Sequence, residues 1–210
     1  MVPTVADRIV LNLKQEYSRQ TADDSHRFAE LMTHLIQKMQ RPGGTIQRFL
    51  DDIPQMIYRN YKIREVTVGF KSHQDGRFRY ISFYGFRKDA ELSLRGLSYD
   101  EEDFTNESVG KQISDWTWVF LSENKPFLEG EESTYNRPTM LERSERQSPD
   151  QCLEADYFNA RMHNRSNQFF GWIEYSGTMD YRFPDMRMIK EIELIAGITS
   201  LAIEGQNLRL

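Results

Sequence analysis

The chain is most restrictive in what it lacks. Among 210 residues there is one cysteine, Cys152. A lone thiol excludes an internal disulfide, a multi-thiolate metal site and a two-cysteine redox couple within one chain. No run of about 18 apolar residues occurs, so no membrane-spanning helix is expected. The stretch from Met1 to Lys14 has no apolar core of the kind a secretory signal carries. There is no phosphate-cradling glycine loop, no nucleophile elbow and no paired-histidine zinc motif. Basic residues do not dominate either: the net charge is −5 and the sequence pI about 5.5. Such a chain has no general attraction for nucleic acid or anionic lipid. These absences set the expectation of a cytoplasmic, non-enzymatic protein with no nucleic-acid partner.

Aromatic side chains are plentiful, with 13 Phe, 10 Tyr and 3 Trp. Ile9, Leu13 and Tyr17 recur at helical spacing, and Phe28, Leu31, Met32, Leu35, Ile36 and Met39 form an amphipathic stripe. Whether residues 5–39 make one helix or two is open. Pro42-Gly43-Gly44 ends that region and marks the boundary between a helical extension, residues 1–42, and a domain, residues 43–210. Thr45 reads as an N-cap for a helix through Tyr58, with Pro54 expected to kink or shorten it. From Val66 the period becomes two, and Gln74-Asp75-Gly76 signals a hairpin. Its returning strand, Phe78 to Phe86, is expected to place Phe78, Tyr80, Ser82, Tyr84 and Phe86 on one side.

Lys88 to Asn106 reads as irregular, with a short helix near Asp100. Ser108 to Leu121 reads as a helix carrying Val109, Ile113, Trp116 and Phe120, and Pro126-Phe127-Leu128 as an edge strand. Gly130 to Gln151 is a long charged segment of the kind that serves as a functional lid or stays disordered. A second hairpin spans Tyr157 to Ser176. A final helix follows, with Pro184 expected in its first turn and two apolar stripes, so that it must bury two faces.

Three segments carry a resemblance. The stretch FNARMHNRSNQFFGWIEYSG, from Phe158, resembles the fifth and sixth strands of GAF domains. RFPDMRMIKEIELIAGITSLAIEGQNL, from Arg182, is similar to their closing helix. SVGKQISDWTWVFLSENKPFLEGE, from Ser108, is similar to the GAF helix that ends before a Gly-x-Pro turn, with Asn124 where glycine is common. The resemblance covers Thr45 to Leu210. It implies an α+β fold with a central six-stranded antiparallel sheet, N- and C-terminal helices on one face and ligand-pocket loops on the other. It also implies a regulatory role beside an effector such as a kinase.

The pocket candidates are Tyr80, Tyr84, Phe86, Trp116, Phe120, Cys152 and Tyr157. Each has a plainer alternative. Aromatics at strand and helix spacing are commonly core, and Cys152 reads first as an incidental loop cysteine. Members of the resembled family that hold cyclic nucleotides share an Asn-Lys, Phe and Asp-Glu pattern. Asn136 to Gln147 offers Asn and Arg without the rest. Bilin-carrying members use a cysteine, for which Cys152 is the one candidate. Haem would need an axial histidine, and His26, His34, His73 and His163 all read as surface. Reduction of free methionine sulfoxide needs several cysteines. The acidic runs at Asp100 to Asp103 and Glu129 to Glu132 read as solvated surface rather than cation sites. The cofactor stays unknown. Two functions are expected to compete: a small-molecule sensor signalling through terminal helices that dimerise, or a ligand-free homodimeric scaffold.

Overall fold

The computed structural model describes residues 27–40, 45–124, 130–141 and 145–205. The chain divides into two units, Met1–Gly43 and Gly44–Leu210. In the first, residues 27–40 form helix α1. The helical spacing at Ile9 to Tyr17, the stop at Pro42-Gly44 and the edge strand at Pro126-Leu128 lie outside the described residues. All that follows concerns the second unit.

Helix α2 (Ile46–Tyr61) starts where Thr45 accepts a hydrogen bond from the backbone N of Arg48 at 3.3 Å, and ends at Lys62 in the left-handed region, φ 56°. Its inner stripe of Phe49, Leu50, Ile53, Ile57 and Tyr61 is buried, and Pro54 sits within it without ending it. Strands β1 (Val66–Lys71) and β2 (Phe78–Tyr84) form the first hairpin. Two short helices follow, α3 (Lys88–Arg95) and α4 (Glu101–Thr105). The expected irregular stretch is therefore mostly helical. Ala90, Leu94 and Phe104 are the buried residues of these helices, too few to leave a periodic trace in the sequence.

The helix expected from Ser108 to Leu121 is instead a hairpin of β3 (Gly110–Gln112) and β4 (Thr117–Phe120). Ser114 turns the chain: its hydroxyl accepts from the backbone N of Trp116 at 3.1 Å and of Thr117 at 3.0 Å. Local hydroxyl bonds of this kind compete with helix formation, and the β-branched and aromatic run Thr117-Trp118-Val119-Phe120 suits a strand. Strands β5 (Tyr157–His163) and β6 (Phe169–Tyr175) complete the sheet. Helix α5 (Met186–Gly205) is capped by Asp185, whose carboxylate accepts from Met188 N at 2.8 Å. Pro184 thus precedes the cap rather than occupying the first turn.

All six strands are antiparallel, in the order β2-β1-β6-β5-β4-β3. Side chains of directly paired residues share a face. One face carries Val66, Val68, Ile173, Tyr175, Phe158, Ala160 and Thr117. It packs under α2 and α5: Ser82 donates to Asp51 of α2 at 2.6 Å, Tyr84 meets Tyr58 of α2 at 4.7 Å between ring centroids, and Thr117 donates to Glu193 of α5 at 2.7 Å. The other face carries Tyr80, Trp172, Glu174, Asn159, Tyr157 and Phe120. There Phe78, Tyr80, Leu94, Phe104, Phe169 and Trp172 form a buried cluster with α3 and α4. No helix of the described residues is long and apolar enough to cross a membrane.

Gly69 is required where it stands. A Cβ there would lie 2.2 Å from the fully buried ring of Trp172. Gly69→Ala should cost about 1–3 kcal/mol through overpacking, measured by chemical denaturation. Unchanged stability would mean that Trp172 can move aside.

Candidate functional site

A cavity of about 140 Å³ opens on the sheet face away from α2 and α5. An engineered apolar cavity of about 150 Å³ in another protein holds benzene, so the space suits a small organic molecule. The sheet supplies Tyr80, Tyr157, Asn159 and Glu174, β4 ends in Phe120, and Tyr99 and Phe104 come from the α3–α4 region. The cover is made of two 3₁₀ turns, Glu131–Thr134 and Pro138–Met140, with Tyr135 and Asn136 between them.

Of the sequence candidates, Tyr80, Phe86, Phe120 and Tyr157 meet around this cavity. Three lie elsewhere. Tyr84 faces α2 because β2 carries an extra residue: Val68 and Gly69 of β1 pair with Ser82 and Tyr80, leaving Ile81 as a bulge that flips the alternation. The carbonyl of Ile81 accepts instead from Arg95 of α3 at 3.2 Å. Trp116 is 46% exposed in the β3–β4 turn, edge-on to His163. Cys152 is fully buried outside the cavity wall, with Arg64 Nη2 3.9 Å from its sulfur. Burial pushes its thiol up to about 12, so it is not a reactive thiolate.

The cavity wall is acidic. Glu65, Asp103, Glu131, Glu154, Asp156 and Glu174 line it, and among the described residues no lysine, arginine or histidine does. Arginines set back from the wall balance part of this charge. Arg137 grips Glu154 through Nε and Nη2 at 2.9 and 2.6 Å, and Arg146 reaches Asp156 at 3.0 Å and Glu123 at 2.7 Å. Arg64 and Arg137 also stack on the ring of Tyr181, at 4.6 and 4.7 Å. Glu65 accepts from Ser176 and from Asn136.

Glu174 is held differently. Both carboxyl oxygens accept from the Tyr80 hydroxyl at 3.1 Å, and Asn159, with its amide nitrogen turned inward, donates to Oε2 at 3.1 Å. Burial pushes its carboxyl up to about 8. The Tyr80 hydrogen bond opposes this shift, and the nearby charge of Glu131 adds to it. The hydroxyls of Tyr80, Tyr99, Tyr135 and Tyr157 are all held neutral, first by burial and then largely by the surrounding carboxylates.

Glu131, Glu174, Tyr99 and Tyr135 were not apparent from sequence alone. Glu131 sits in an acidic run expected to be solvated, yet it is only 8% exposed and turned inward. For Glu174 a signal existed: it alternates with Trp172 on one face of a strand whose other face is Ile173 and Tyr175.

The cover is fastened at Asn136 and Arg137. Asn136 accepts from Arg87 N at 2.8 Å and donates to Glu65 and to the Gly85 carbonyl, while Arg137 N donates to Glu154 at 2.7 Å. Arg137→Met should lower stability by about 1 kcal/mol and speed hydrogen exchange across residues 130–141. Exchange confined to the wild-type rate would show that the cover does not depend on this ion pair.

A second prediction concerns pH. Glu174 binds its proton more tightly folded than unfolded, where the value is 4.5. Stability should therefore fall as pH rises from about 4.5 to about 8, then level off. Glu174→Gln should flatten that slope and be the more stable protein at about pH 9, as read by urea denaturation. A wild-type slope in the variant would assign the pH dependence to other groups.

No protein-family model and no curated protein matches the chain; the likenesses are to solved structures. The GAF domain of A. aeolicus nlh2, in an inactive state, is 10% identical with a TM-score of 0.57, covering 87% of this chain and 98% of that one. The GAF domain from Acinetobacter phosphoenolpyruvate-protein phosphotransferase is 9% identical with a TM-score of 0.55, covering 86% and 95%. A bacteriophytochrome from the photosynthetic bacterium R. palustris is 11% identical with a TM-score of 0.53, covering 85% of this chain and 38% of its own. With the helices on one sheet face and a loop-covered cavity on the other, the fold of this chain is that of a GAF domain.

Proposed function

We propose that this chain is a regulatory, small-molecule-sensing domain that acts in the cytoplasm without a catalytic step. The observation that carries the reading is a cavity with inward-facing polar groups beneath a fastened cover of 3₁₀ turns. Pockets of this kind combine an apolar wall with a few convergent donors and acceptors. Ligand entry would exchange some of the cover's hydrogen bonds for bonds to the ligand, shifting a population rather than creating a new state. The similar folds from a phosphotransferase and a bacteriophytochrome are consistent with such a module serving an effector, a kinase or another regulator. The acidic wall speaks against phosphate-bearing ligands such as cyclic nucleotides, which need cationic partners.

A second reading, a homodimeric scaffold, is favoured by α5. Leu194 and Leu201, two turns apart, are 48% and 59% exposed on a helix that already buries its other side on the domain. The two readings are compatible if the dimer carries the output.

A thermal-shift screen of the full chain against uncharged, cationic and anionic metabolites tests the sensor. At least one class should raise the melting temperature by several degrees, and Tyr157→Ala should abolish that rise. A chain that no class stabilises, and that sediments as a dimer until Leu194 and Leu201 are both changed to Glu, would favour the scaffold. A monomer at every concentration would remove the scaffold reading.

A further inference from the structure

The cavity floor presents a carboxyl whose neighbours are all neutral donors. Glu174 of β6 lines the cavity, and two groups reach it: the Tyr80 hydroxyl, 3.1 Å from each carboxyl oxygen, and the inward-turned Asn159 amide, 3.1 Å from Oε2. Among the described residues no lysine, arginine or histidine pairs with Glu174. A carboxyl buried without a cationic partner takes its neutral form, and burial holds this one protonated up to about 8. In that form it offers a hydrogen-bond donor and an acceptor side by side. A carboxylic acid kept neutral near pH 7 can donate to a bound carbonyl. With Tyr80 and Asn159 both donating, the carboxyl's own O–H is left for an acceptor in the cavity.

Two charge classes fit this floor poorly. An anion would meet no base, since among the described residues none lines the wall. A cation would have to displace the Glu174 proton, and the neighbouring Glu154 and Asp156 are already taken by Arg137 and Arg146 at 2.6 and 3.0 Å. Much of the remaining wall is flat and aromatic. Phe120 and Tyr157 stack 10° from parallel at 4.6 Å between centroids, and Tyr99 meets Phe104 edge-on at 5.9 Å. A space of about 140 Å³, close to one that holds benzene, takes a single ring with a short polar group and excludes nucleotides and tetrapyrroles.

We propose that the cavity binds a small neutral aromatic amide, a monocyclic carboxamide or ring lactam, with its amide edge against Glu174 and its ring among Phe104, Phe120 and Tyr157. This rests on the reading of the cavity as a ligand site. The amide carbonyl accepts from the carboxyl O–H while an amide N–H donates to the carboxyl C=O, so donor and acceptor are matched on both sides. Binding therefore needs the protonated carboxyl and weakens as it ionises. The groups facing Glu174 are Tyr80 of β2, Asn159 of β5, Glu131 of the cover and, beyond them, the hydroxyls of Tyr99, Tyr135 and Tyr157. The tyrosines stay neutral, and the Glu131 charge helps to keep the proton on Glu174.

The test is isothermal titration calorimetry on the full chain with three probes of one shape: benzamide, which is neutral, benzamidine, a cation, and benzoate, an anion. At about pH 7 benzamide should bind about tenfold or more tightly than either charged probe. It should bind about tenfold more weakly at about pH 9 than at about pH 6, as the competent protonated form is depleted. Glu174→Gln keeps a donor and an acceptor without a titrating proton, so it should bind benzamide nearly as well as the wild type and lose the pH dependence. Glu174→Met removes the polar edge and should weaken benzamide about tenfold or more. Should Glu174→Met fail to give a cooperative melt, the pH profiles of the wild type and of Glu174→Gln carry the test. Benzamide binding that is unchanged in Glu174→Met, or equal at the two pH values in the wild type, overturns the role of Glu174. Preference for benzamidine or benzoate overturns the neutral-amide inference and leaves the sensor reading standing. Binding of none of the three overturns the inference, and the broader thermal-shift screen then decides the sensor reading independently.

Discussion

In an antiparallel sheet, the face to which a side chain belongs is set by the parity of its position and by the register with the next strand. The whole molecule depends on this constraint. One face is kept dry under α2 and α5 by Val66, Val68, Ile173 and Ala160. The opposite face carries a glutamate, an asparagine and two tyrosines among large aromatics. The bulge at Ile81 lets a single strand serve both. Below it, Phe78 and Tyr80 belong to the aromatic and cavity side; above it, Ser82 and Tyr84 belong to α2. Arg95 takes the carbonyl that the bulge leaves without a ladder partner and lays its guanidinium 4.5 Å from the Phe83 ring.

The polar face is stable because its charges are handled in two ways. Near the Cys152–Asp156 segment, carboxylates are matched by arginines that approach from outside the cavity and fasten loops as they do so. At the cavity floor, Glu174 is matched by neutral donors alone. The first arrangement builds structure, since breaking a buried pair leaves an uncompensated charge. The second leaves a carboxyl that burial keeps protonated well above the usual carboxylate range.

Much of the fold was legible in the sequence. The period-two run at Val66, the Gln74-Asp75-Gly76 turn, the second hairpin within Tyr157 to Ser176 and the stripes of α2 and α5 are strong local signals, and the order of those elements followed from them. The β3–β4 hairpin was not, because Val109, Ile113, Trp116 and Phe120 imitate helical spacing, and the deciding hydrogen bonds come from Ser114. The cavity was half legible. Tyr80 and Tyr157 obey simple alternation, whereas Tyr84 was displaced by a bulge that leaves no mark on composition. Glu131 was hidden in an acidic run, since only the three-dimensional path of the cover turns it inward.

The bulge also limits how this domain can vary in length. Loss of one residue between Phe78 and Ser82 would restore strict alternation and exchange the two ends of β2: either the tyrosine that holds Glu174 turns toward the helix layer, or the serine that binds Asp51 turns into the cavity. Loops at Ser72 to Arg77 and in the cover can lengthen at small cost. Strand β2 cannot shorten by one without dismantling one of the two layers, so in descendants of this sequence that keep both layers the count of residues from Phe78 to Tyr84 should be more constant than their identities.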